Sequence, residues 1–420
     1  MKHKNSRKNK NKNTIKSKTK SKTNSKNKKK TKKITINNII LKNKTPLLIQ
    51  KISEKISEKA TDYNDFFIPH LFNKKNNKTS YSPTINKEIV TLKTMPRQEI
   101  MDCNNKLAFE LKEPLQIGIP GTLYGKKCFD YNSLEAKKYL LKNLAANKHL
   151  IISKIVPPIQ LQANCWFNAM FATFFISDKG RKFFHYFREL MIKGKQKNGQ
   201  IIQPEKLRNA FALLNFGIES CLMGNKYAYE LNTNSIIHQI YDSIPKEYRS
   251  KYSYIVDVKK ASNPLMYYMS IINYLNNNSI LILLVKNCNT NWKEQVAQMI
   301  SDSKLPHIIV FEVFDSNKSA GDSGTFLNKP QSFDLKDGKY SLDSAVIRDT
   351  TGQHFCSTIT CEHEEMGYDG MSFHRIVPLK WKDKINSDFT WEFEGSEDYD
   401  KTPLKWSFTH GYQLLMYYRV

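Results

Sequence analysis

Cys165 is the residue of this chain whose type and surroundings most clearly predict chemistry. It lies where the polar segment Gln160 to Asn164 meets a run of apolar and aromatic residues that predicts a buried helix. A helix N-terminus places positive partial charge beside the sulfur and favours the thiolate, which is the nucleophilic form. A glutamine a few residues earlier could hydrogen-bond an oxyanion, together with the backbone amide of the cysteine. The alternative is a small buried cysteine at a helix start, with no chemical role.

A candidate base occurs late in the chain, in the segment Thr351 to Cys356. His354 follows a glycine-containing turn between two predicted strands, so we expect it at a sheet edge, within reach of a helix terminus. An imidazole there could withdraw the thiol proton and later deliver it to a leaving amine. Asp369, in the turn before the next strand, could orient the imidazole from a neighbouring strand. The alternative is that both are ordinary turn residues.

The remaining histidines are weaker candidates for the base. His149 and His185 fall on predicted helices, and His363 falls in an acidic turn. His374 and His410 lack both an adjacent glycine and an aspartate at a convenient distance. His354 is therefore the preferred base.

Cys356, Cys361 and His363 raise the alternative of a zinc site. Residues five apart on a strand point to opposite faces, and the sequence has no Cys-x-x-Cys pair to complete a tetrahedral site. The sequence also lacks a Walker-type phosphate loop, a dinucleotide-binding glycine fingerprint and a Gly-x-Ser-x-Gly elbow. We therefore expect no metal and no cofactor.

The formal net charge of +27 is concentrated at one end of the 420-residue chain. Residues 1–44 hold 18 of the 66 basic residues and no acidic residue, which leaves 48 basic against 39 acidic side chains in the rest. A segment of this composition predicts a disordered basic tail. Such a tail could bind nucleic acid or another polyanion without sequence specificity, or serve only as a solubilising appendage.

Seven widely spaced cysteines, and an N-terminus without the apolar stretch of a signal peptide, predict a reducing compartment. The longest apolar run, Ile280 to Val285, is far shorter than the roughly 20 residues needed to cross a bilayer. We expect a buried strand there and no membrane partner.

The pattern of elements predicts an α+β fold in which a helical half packs on a mostly antiparallel sheet. In the first half, Ser177 or Asp178 can cap a helix that Gly194 ends, and Pro204 opens another that ends before Gly224. In the second half, short β-branched or aromatic segments predict strands. These segments are Ile280 to Lys286, His307 to Phe314, Tyr340 to Arg348, Gln353 to Cys361, Met371 to Val377 and Tyr412 to Arg419.

The segment Asn164-Cys165-Trp166-Phe167-Asn168-Ala169 resembles the cysteine box of papain-like ubiquitin-specific proteases. Gly352-Gln353-His354-Phe355 and the closing strand from Tyr412 resemble their histidine box and terminal strand. The resemblance implies a papain-like cysteine peptidase without a cofactor. Its nucleophile would be Cys165, its general base and then acid His354, its orienting carboxylate Asp369 and its oxyanion donor Gln160.

This sequence departs from the ubiquitin-protease pattern in three places. Gln-Ala-Asn-Cys replaces Gly-Asn-Thr-Cys, Gly-Gln-His-Phe replaces Gly-His-Tyr, and the zinc-binding cysteine pairs of the fingers region are absent. The first change leaves the oxyanion donor open between Gln160 and Gln162. Gln160 is preferred because its distance from the cysteine matches that of papain-like donors.

A closer resemblance extends roughly from Leu134 to Val420. Pro157-Pro158-Ile159-Gln160, the cysteine segment and the stretch Ser177 to Phe184 are similar to a thiol protease of giant DNA viruses such as mimivirus. The resemblance implies a location in the virion, the host cytoplasm or a viral factory. It also implies a virion protein or a ubiquitin-like conjugate as substrate.

These observations predict a disordered basic tail (1–44), a linker and N-terminal extension (45–133) and a papain-like peptidase domain (134–420). The predicted function is hydrolysis of peptide or isopeptide bonds through an acyl-enzyme. The alternative is a non-enzymatic virion protein, with an inactive peptidase fold, that binds nucleic acid or another polyanion through its tail.

Overall fold

The computed structural model describes residues 99–121, 125–146, 150–275, 280–300, 305–313, 328–336 and 338–420. The predicted basic tail, residues 45–98 of the predicted linker, and His149 lie outside the described residues. Described helices lie mainly before residue 275, and described strands mainly after it, so the predicted α+β class is confirmed.

The α-helices of the described chain are α1 (Lys106–Phe109), α2 (Leu134–Ala146), α3 (Cys165–Phe175), α4 (Asp178–Phe183), α5 (His185–Lys193), α6 (Glu205–Met223), α7 (Tyr227–Glu230), α8 (Thr233–Ser243), α9 (Lys246–Lys251), α10 (Pro264–Tyr274) and α11 (Trp292–Met299). Short 3₁₀ helices occupy Ile152–Lys154 and Lys382–Lys384.

Local sequence signals account for where several helices begin and end. The single helix predicted between Ser177 and Gly194 is two helices, α4 and α5, which are separated at Phe184. The side chain of Ser177 accepts a hydrogen bond from the amide of Gly180, which caps α4. Gly194 and Gly224 end α5 and α6 with φ of 66° and 62°, the left-handed conformation that glycine adopts without strain. Helix α3 is buried from Trp166 to its last residue, as its nearly uniform apolar character predicts.

The strands are β1 (Gln116–Pro120), β2 (Lys126–Asp130), β3 (Ile282–Val285), β4 (Ile308–Val313), β5 (Ser332–Leu335), β6 (Gly338–Arg348), β7 (Phe355–Cys361), β8 (Glu364–Tyr368), β9 (Ile376–Pro378), β10 (Thr390–Trp391), β11 (Trp406–Ser407) and β12 (Gln413–Arg419). The main sheet has the order β3-β4-β12-β6-β7-β8-β9, with β5 paired to β6. Among the described strand pairs of this sheet, only β3–β4 is parallel, which confirms a mostly antiparallel arrangement.

Both faces of the main sheet are covered by apolar side chains, and β12 shows why. Its side chains alternate between faces. Leu414 and Met416 join a first core that contains α3 and most of the other helices, whereas Leu415 and Tyr417 join a second core. The second core also contains residues from the segment 381–408, so this segment forms the layer opposite the helices.

Two strand predictions need correction. Residues 371–375 form a loop, and the strand predicted from Met371 to Val377 is the shorter β9. Strand β8, Glu364–Tyr368, begins inside the stretch interpreted as an acidic turn, because the turn itself is confined to Glu362 and His363. The polar start of β8 hid it from a pattern based on apolar residues.

Residues 99–133 of the predicted N-terminal extension pack into the first core, where Ile117 and Tyr131 are fully buried. Cys103 and Cys128 form a disulfide, which is at odds with the predicted reducing compartment. The pairing depends on tertiary contacts: Cys128 lies opposite Gly118 in the β1–β2 hairpin, and Met101 bridges to Gly118 from the other side.

Within the described ranges, no helix has both the length and the apolar character needed to span a bilayer.

Candidate active site

Cys165 is the first residue of α3, and α3 packs against β7 and β6 of the main sheet. The backbone amide of Cys165 belongs to the first turn of the helix, where N–H groups have no partner within the helix. Among the free cysteines of the described chain, Cys165 alone is not buried. The helix start therefore presents one accessible thiol beside the backbone N–H groups of the first helical turn.

The loop before Cys165 is tied to the strands that carry the acidic residue of the site. The amide of Gln160 donates to the carbonyl of Gly370 at 2.8 Å. The guanidinium of Arg375 donates to the carbonyl of Pro157 at 2.6 Å. These bonds fix the position of the loop relative to the end of β8.

The two candidate oxyanion donors have different surroundings. Gln162 is exposed, whereas the side-chain oxygen of Gln160 is buried and has no hydrogen-bond partner among the described residues. A Cβ at Gly370 would lie 3.1 Å from the Cβ of Gln160, so the absence of a side chain at Gly370 leaves room for Gln160. Gln160 therefore packs against the residue that follows Asp369, whereas Gln162 is exposed to solvent.

A buried polar network lies behind the nucleophile. The side-chain amide of Asn164 donates to the hydroxyl of Thr233 at 2.8 Å, and that hydroxyl donates to the side-chain oxygen of Asn168 at 2.8 Å. Asn168 in turn donates to the carbonyl of Ile159 at 3.2 Å. The network links α3, the start of α8 and the loop that holds Gln160.

The register of β7 and β8 brings His354 and Asp369 together. Ser357 pairs with Tyr368, so His354, just before β7, and Asp369, just after β8, are diagonal neighbours across the ladder. Nε2 of His354 lies 2.5 Å from Oδ1 of Asp369. Strand β7 lies between β6 and β8, so His354 stands at the end of an interior strand and not at the sheet edge that we expected.

Asp349 holds the turn that carries His354. Its Oδ1 accepts hydrogen bonds from the amides of Gln353 and His354, both at 2.6 Å. Its Oδ2 accepts from the amide of Thr351 at 2.8 Å and from the hydroxyl of the same residue. The position of the His354 backbone therefore depends on one buried carboxylate.

The pKa of His354 reflects opposing influences. Burial lowers it, but the charge of Asp369, a hydrogen bond to Asp369 and a side-chain hydrogen bond with Cys165 together raise the pKa well above its ordinary value. Because Asp369 engages Nε2, Nδ1 is the ring nitrogen left for the sulfur. The structure thus places an imidazole that favours its protonated form between a carboxylate and a thiol.

A segment of the second core covers the His354–Asp369 pair, and sequence patterns gave no sign of it. The hydroxyl of Ser396, a residue that is 1% exposed, donates to Oδ2 of Asp369. The ring of Trp406 lies edge-on to the ring of His354, with 5.8 Å between ring centroids. Both residues come from outside the cysteine and histidine boxes.

The rival residues are placed elsewhere. His363 and His374 are exposed. Cys356 and Cys361, from the zinc alternative, belong to different cores on opposite faces of the sheet. In the part of the chain that the structure describes, no group of three or more His, Cys, Asp or Glu side chains could hold a metal ion.

Comparisons with known proteins found no matching protein-family model and no curated protein with significant sequence similarity. One solved structure that is similar is the SAGA Ubp8/Sgf11/Sus1/Sgf73 DUB module bound to ubiquitin aldehyde. It has a TM-score of 0.39 and 9% identity, over 64% of this chain and 70% of that one. The Ubp8-Sgf11-Sgf73-Sus1 SAGA DUB module has a TM-score of 0.37 and 10% identity, over 64% and 69% of the two chains.

An essential yeast splicing factor matches with a TM-score of 0.24 and 9% identity, over 76% of this chain and 90% of that one. Scores of this size are too low to carry a conclusion about fold or activity. The assignment that follows therefore depends on the geometry of this chain.

Proposed function

We propose that this chain is a papain-like thiol peptidase in which Cys165 is the nucleophile, His354 the general base and acid, and Asp369 the orienting carboxylate. One observation supports the proposal above all. The single accessible free thiol of the described chain begins a buried helix that packs against β7. His354, just before β7, has its Nε2 2.5 Å from the buried carboxylate of Asp369.

The reaction follows from this arrangement. The imidazole of His354 takes the thiol proton, and the sulfur of Cys165 attacks the carbonyl carbon of a peptide or isopeptide bond. Negative charge on the carbonyl oxygen is stabilised by the backbone amide of Cys165 and the side-chain amide of Gln160. His354 then protonates the leaving amine, which gives an acyl-enzyme.

A water molecule completes the cycle. His354, now neutral, removes a proton from water, and the hydroxide attacks the thioester carbonyl. The thiolate leaves, and the free carboxylic acid product is released. Asp369 keeps Nε2–H engaged throughout, so that Nδ1 faces the sulfur in each step.

For the substrate we propose a ubiquitin-like conjugate or a virion protein, the two classes that the sequence resemblance implies. Leu161, next to Gln160, and Phe373, on the loop after Asp369, are 55% and 73% exposed. Apolar side chains on two loops bordering a reactive cysteine are suited to contact an extended polypeptide. The location in the virion or viral factory, and binding of polyanions by residues 1–44, stay predictions.

The test is alkylation of the folded protein by iodoacetamide from about pH 5 to about pH 9, with the modified cysteine located by peptide mass spectrometry. We expect Cys165 to label fast near pH 6 in the wild type and to lose that advantage in His354→Gln. The exposed His374 provides the matched control, His374→Gln, which should label like the wild type.

The buried cysteines should stay unlabelled while the protein is folded. Burial raises the pKa of Cys221, Cys288 and Cys361 to about 12, and that of Cys356 well above its usual value. Labelling of Cys165 only above about pH 8, as for an ordinary thiol, would overturn the enzyme assignment. The alternative of a non-enzymatic protein that acts through its basic tail would then be preferred.

A further inference from the structure

We propose that Ser396 is a positioning residue of this site, whose hydroxyl fixes the carboxylate plane of Asp369 and thereby the orientation of His354. This inference rests on the proposed function and adds a fourth side chain to the arrangement of Cys165, His354 and Asp369.

The hydrogen bonds of Asp369 divide between its two oxygens. Oδ1 faces Nε2 of His354 at 2.5 Å and the amide of Met371 at 3.4 Å. Oδ2 accepts the hydroxyl of Ser396, which is the one donor to that oxygen within the described residues. Because Asp369 is 0% exposed, water does not compete for the second oxygen.

The backbone of Ser396 is itself held on both sides. Its amide donates to the carbonyl of Phe393 at 3.0 Å, and its carbonyl accepts from the amide of Leu404 at 2.9 Å. Phe393 packs on Trp406, with 5.2 Å between ring centroids, and Trp406 in turn contacts the ring of His354. The hydroxyl therefore projects from a fixed backbone and is free to serve Asp369.

A carboxylate bonded through one oxygen alone can rotate about its Cβ–Cγ bond. A donor on the second oxygen removes that freedom, and the imidazole bonded to the first oxygen then keeps Nδ1 toward Cys165. Outer partners that orient metal-bound histidines typically change activity by roughly 10- to 100-fold when removed, and Ser396 would act on the orientation of His354 in the same way. We expect Ser396→Ala to lower the rate of Cys165 alkylation near pH 6 by about 10-fold.

Other titratable groups near Asp369 should not contribute to the pH dependence of Cys165 alkylation. The carboxylate of Asp349 bonds the backbone of the His354 turn. Burial raises the pKa of Cys356 and of Tyr368 well above their ordinary values, so both stay protonated from about pH 5 to about pH 9. A pH-dependent change in that range therefore reports on the pair formed by Cys165 and His354.

The experiment compares labelling profiles of the full chain carrying Ser396→Ala, Asp369→Ala, or both. If Ser396 acts through Asp369, Ser396→Ala should slow labelling in the wild-type background and have no further effect beside Asp369→Ala. A matched control is Ser270→Ala in α10, another buried serine, whose hydroxyl donates to the carbonyl of Met266. The control should leave the pH profile unchanged, and urea unfolding verifies that each variant is folded.

The outcomes separate the two proposals. If wild-type Cys165 has no advantage near pH 6 that depends on His354, the proposed function fails whatever Ser396 does. If that advantage exists but Ser396→Ala leaves it intact, or slows labelling equally with and without Asp369, only the positioning role is overturned.

Discussion

The described chain has two ion pairs in which both side chains are at most 5% exposed, and the two pairs lie in different structural surroundings. Arg188 and Glu219 join α5 to α6 at 2.6 Å, and Arg188 also donates to Asn215 at 3.0 Å. His354 and Asp369 join the ends of β7 and β8 at 2.5 Å. Burying charge is costly in both places, and each charge is paired and hydrogen-bonded in response.

The difference lies in what the cation contacts. The guanidinium of Arg188 bonds Asn215 and Glu219 of the neighbouring helix. The imidazole of His354 bonds Asp369 with one nitrogen and has the other available to Cys165, a partly exposed thiol. Burial and pairing alone therefore do not indicate catalysis, whereas an accessible nucleophile on the free side of the pair does.

The largest expected effect is the loss of hydrolysis when Cys165, the thiol beside the His354–Asp369 pair, is replaced. Cys165→Ala should reduce peptide hydrolysis by at least about 10³-fold, because the acyl-enzyme cannot form. Since Cys165 belongs to neither ion pair, the free energy of unfolding should change by less than about 1 kcal/mol. Hydrolysis of a peptide or ubiquitin-conjugate substrate, together with urea unfolding, measures both, and retained hydrolysis would contradict the proposed nucleophile.

At the Arg188–Glu219 pair we expect the opposite result, a loss of stability without a loss of Cys165 reactivity. Arg188→Met removes the buried ion pair with Glu219, so the free energy of unfolding should fall by about 3–5 kcal/mol. The alkylation rate of Cys165 in molecules that remain folded should not change. Arg208→Met is the matched control, because the partner of Arg208, Glu205, is 71% exposed. This variant should lower the free energy of unfolding much less. If Arg188→Met and Arg208→Met lowered the free energy of unfolding equally, the buried pair would stabilise the protein no more than the exposed pair.

Glu312 provides a buried acid for comparison with both pairs. Its carboxylate accepts the hydroxyl of Tyr412 at 2.7 Å, and burial raises the pKa of Glu312 to about 7. The folded state holds the proton of Glu312 more tightly than the unfolded state does. The contribution of Glu312 to the free energy of unfolding is therefore complete below about pH 4.5 and is lost as pH rises from there to about 7.

We expect Glu312 to account for a loss of the order of 3 kcal/mol, and Glu312→Gln should remove that part of the pH dependence. The buried carboxyl of Asp343, whose pKa burial raises to about 6, should keep its own part in both proteins. Urea unfolding at pH values on both sides of this window measures the effect. The exposed Glu205 serves as the control, since Glu205→Gln should leave the pH dependence as in the wild type. A wild type whose stability rises across the window would contradict the raised pKa.

The smallest effect is expected behind the nucleophile. Thr233→Val keeps the shape of the side chain but removes the hydroxyl that links Asn164 and Asn168, at a cost of about 1–3 kcal/mol in unfolding free energy. Labelling of Cys165 should slow only a few-fold, because His354 and Asp369 are untouched. A loss as large as that of His354→Gln would show that the network takes part in the chemistry.

Local sequence signals predicted much of the helical part. The cap at Ser177 and the stops at Gly194 and Gly224 each depend on residues within one helical turn, where propensity and capping act directly. Strand β8 escaped prediction because its pairing with β7 and β9, not its own polar start, keeps it in the sheet.

Cys165, His354 and Asp369 could be selected from the sequence because their residue types and their places at element ends suggest chemistry. Their roles stay predictions until the reactivity of Cys165 is measured. What the tertiary structure decided is how these three side chains are held. Ser396 meets Asp369 across 27 residues, and Thr233 meets Asn164 across 69 residues. Contacts over such separations arise only when the sheet and helices pack together, since no local pattern specifies which serine or threonine hydroxyl will face a buried partner.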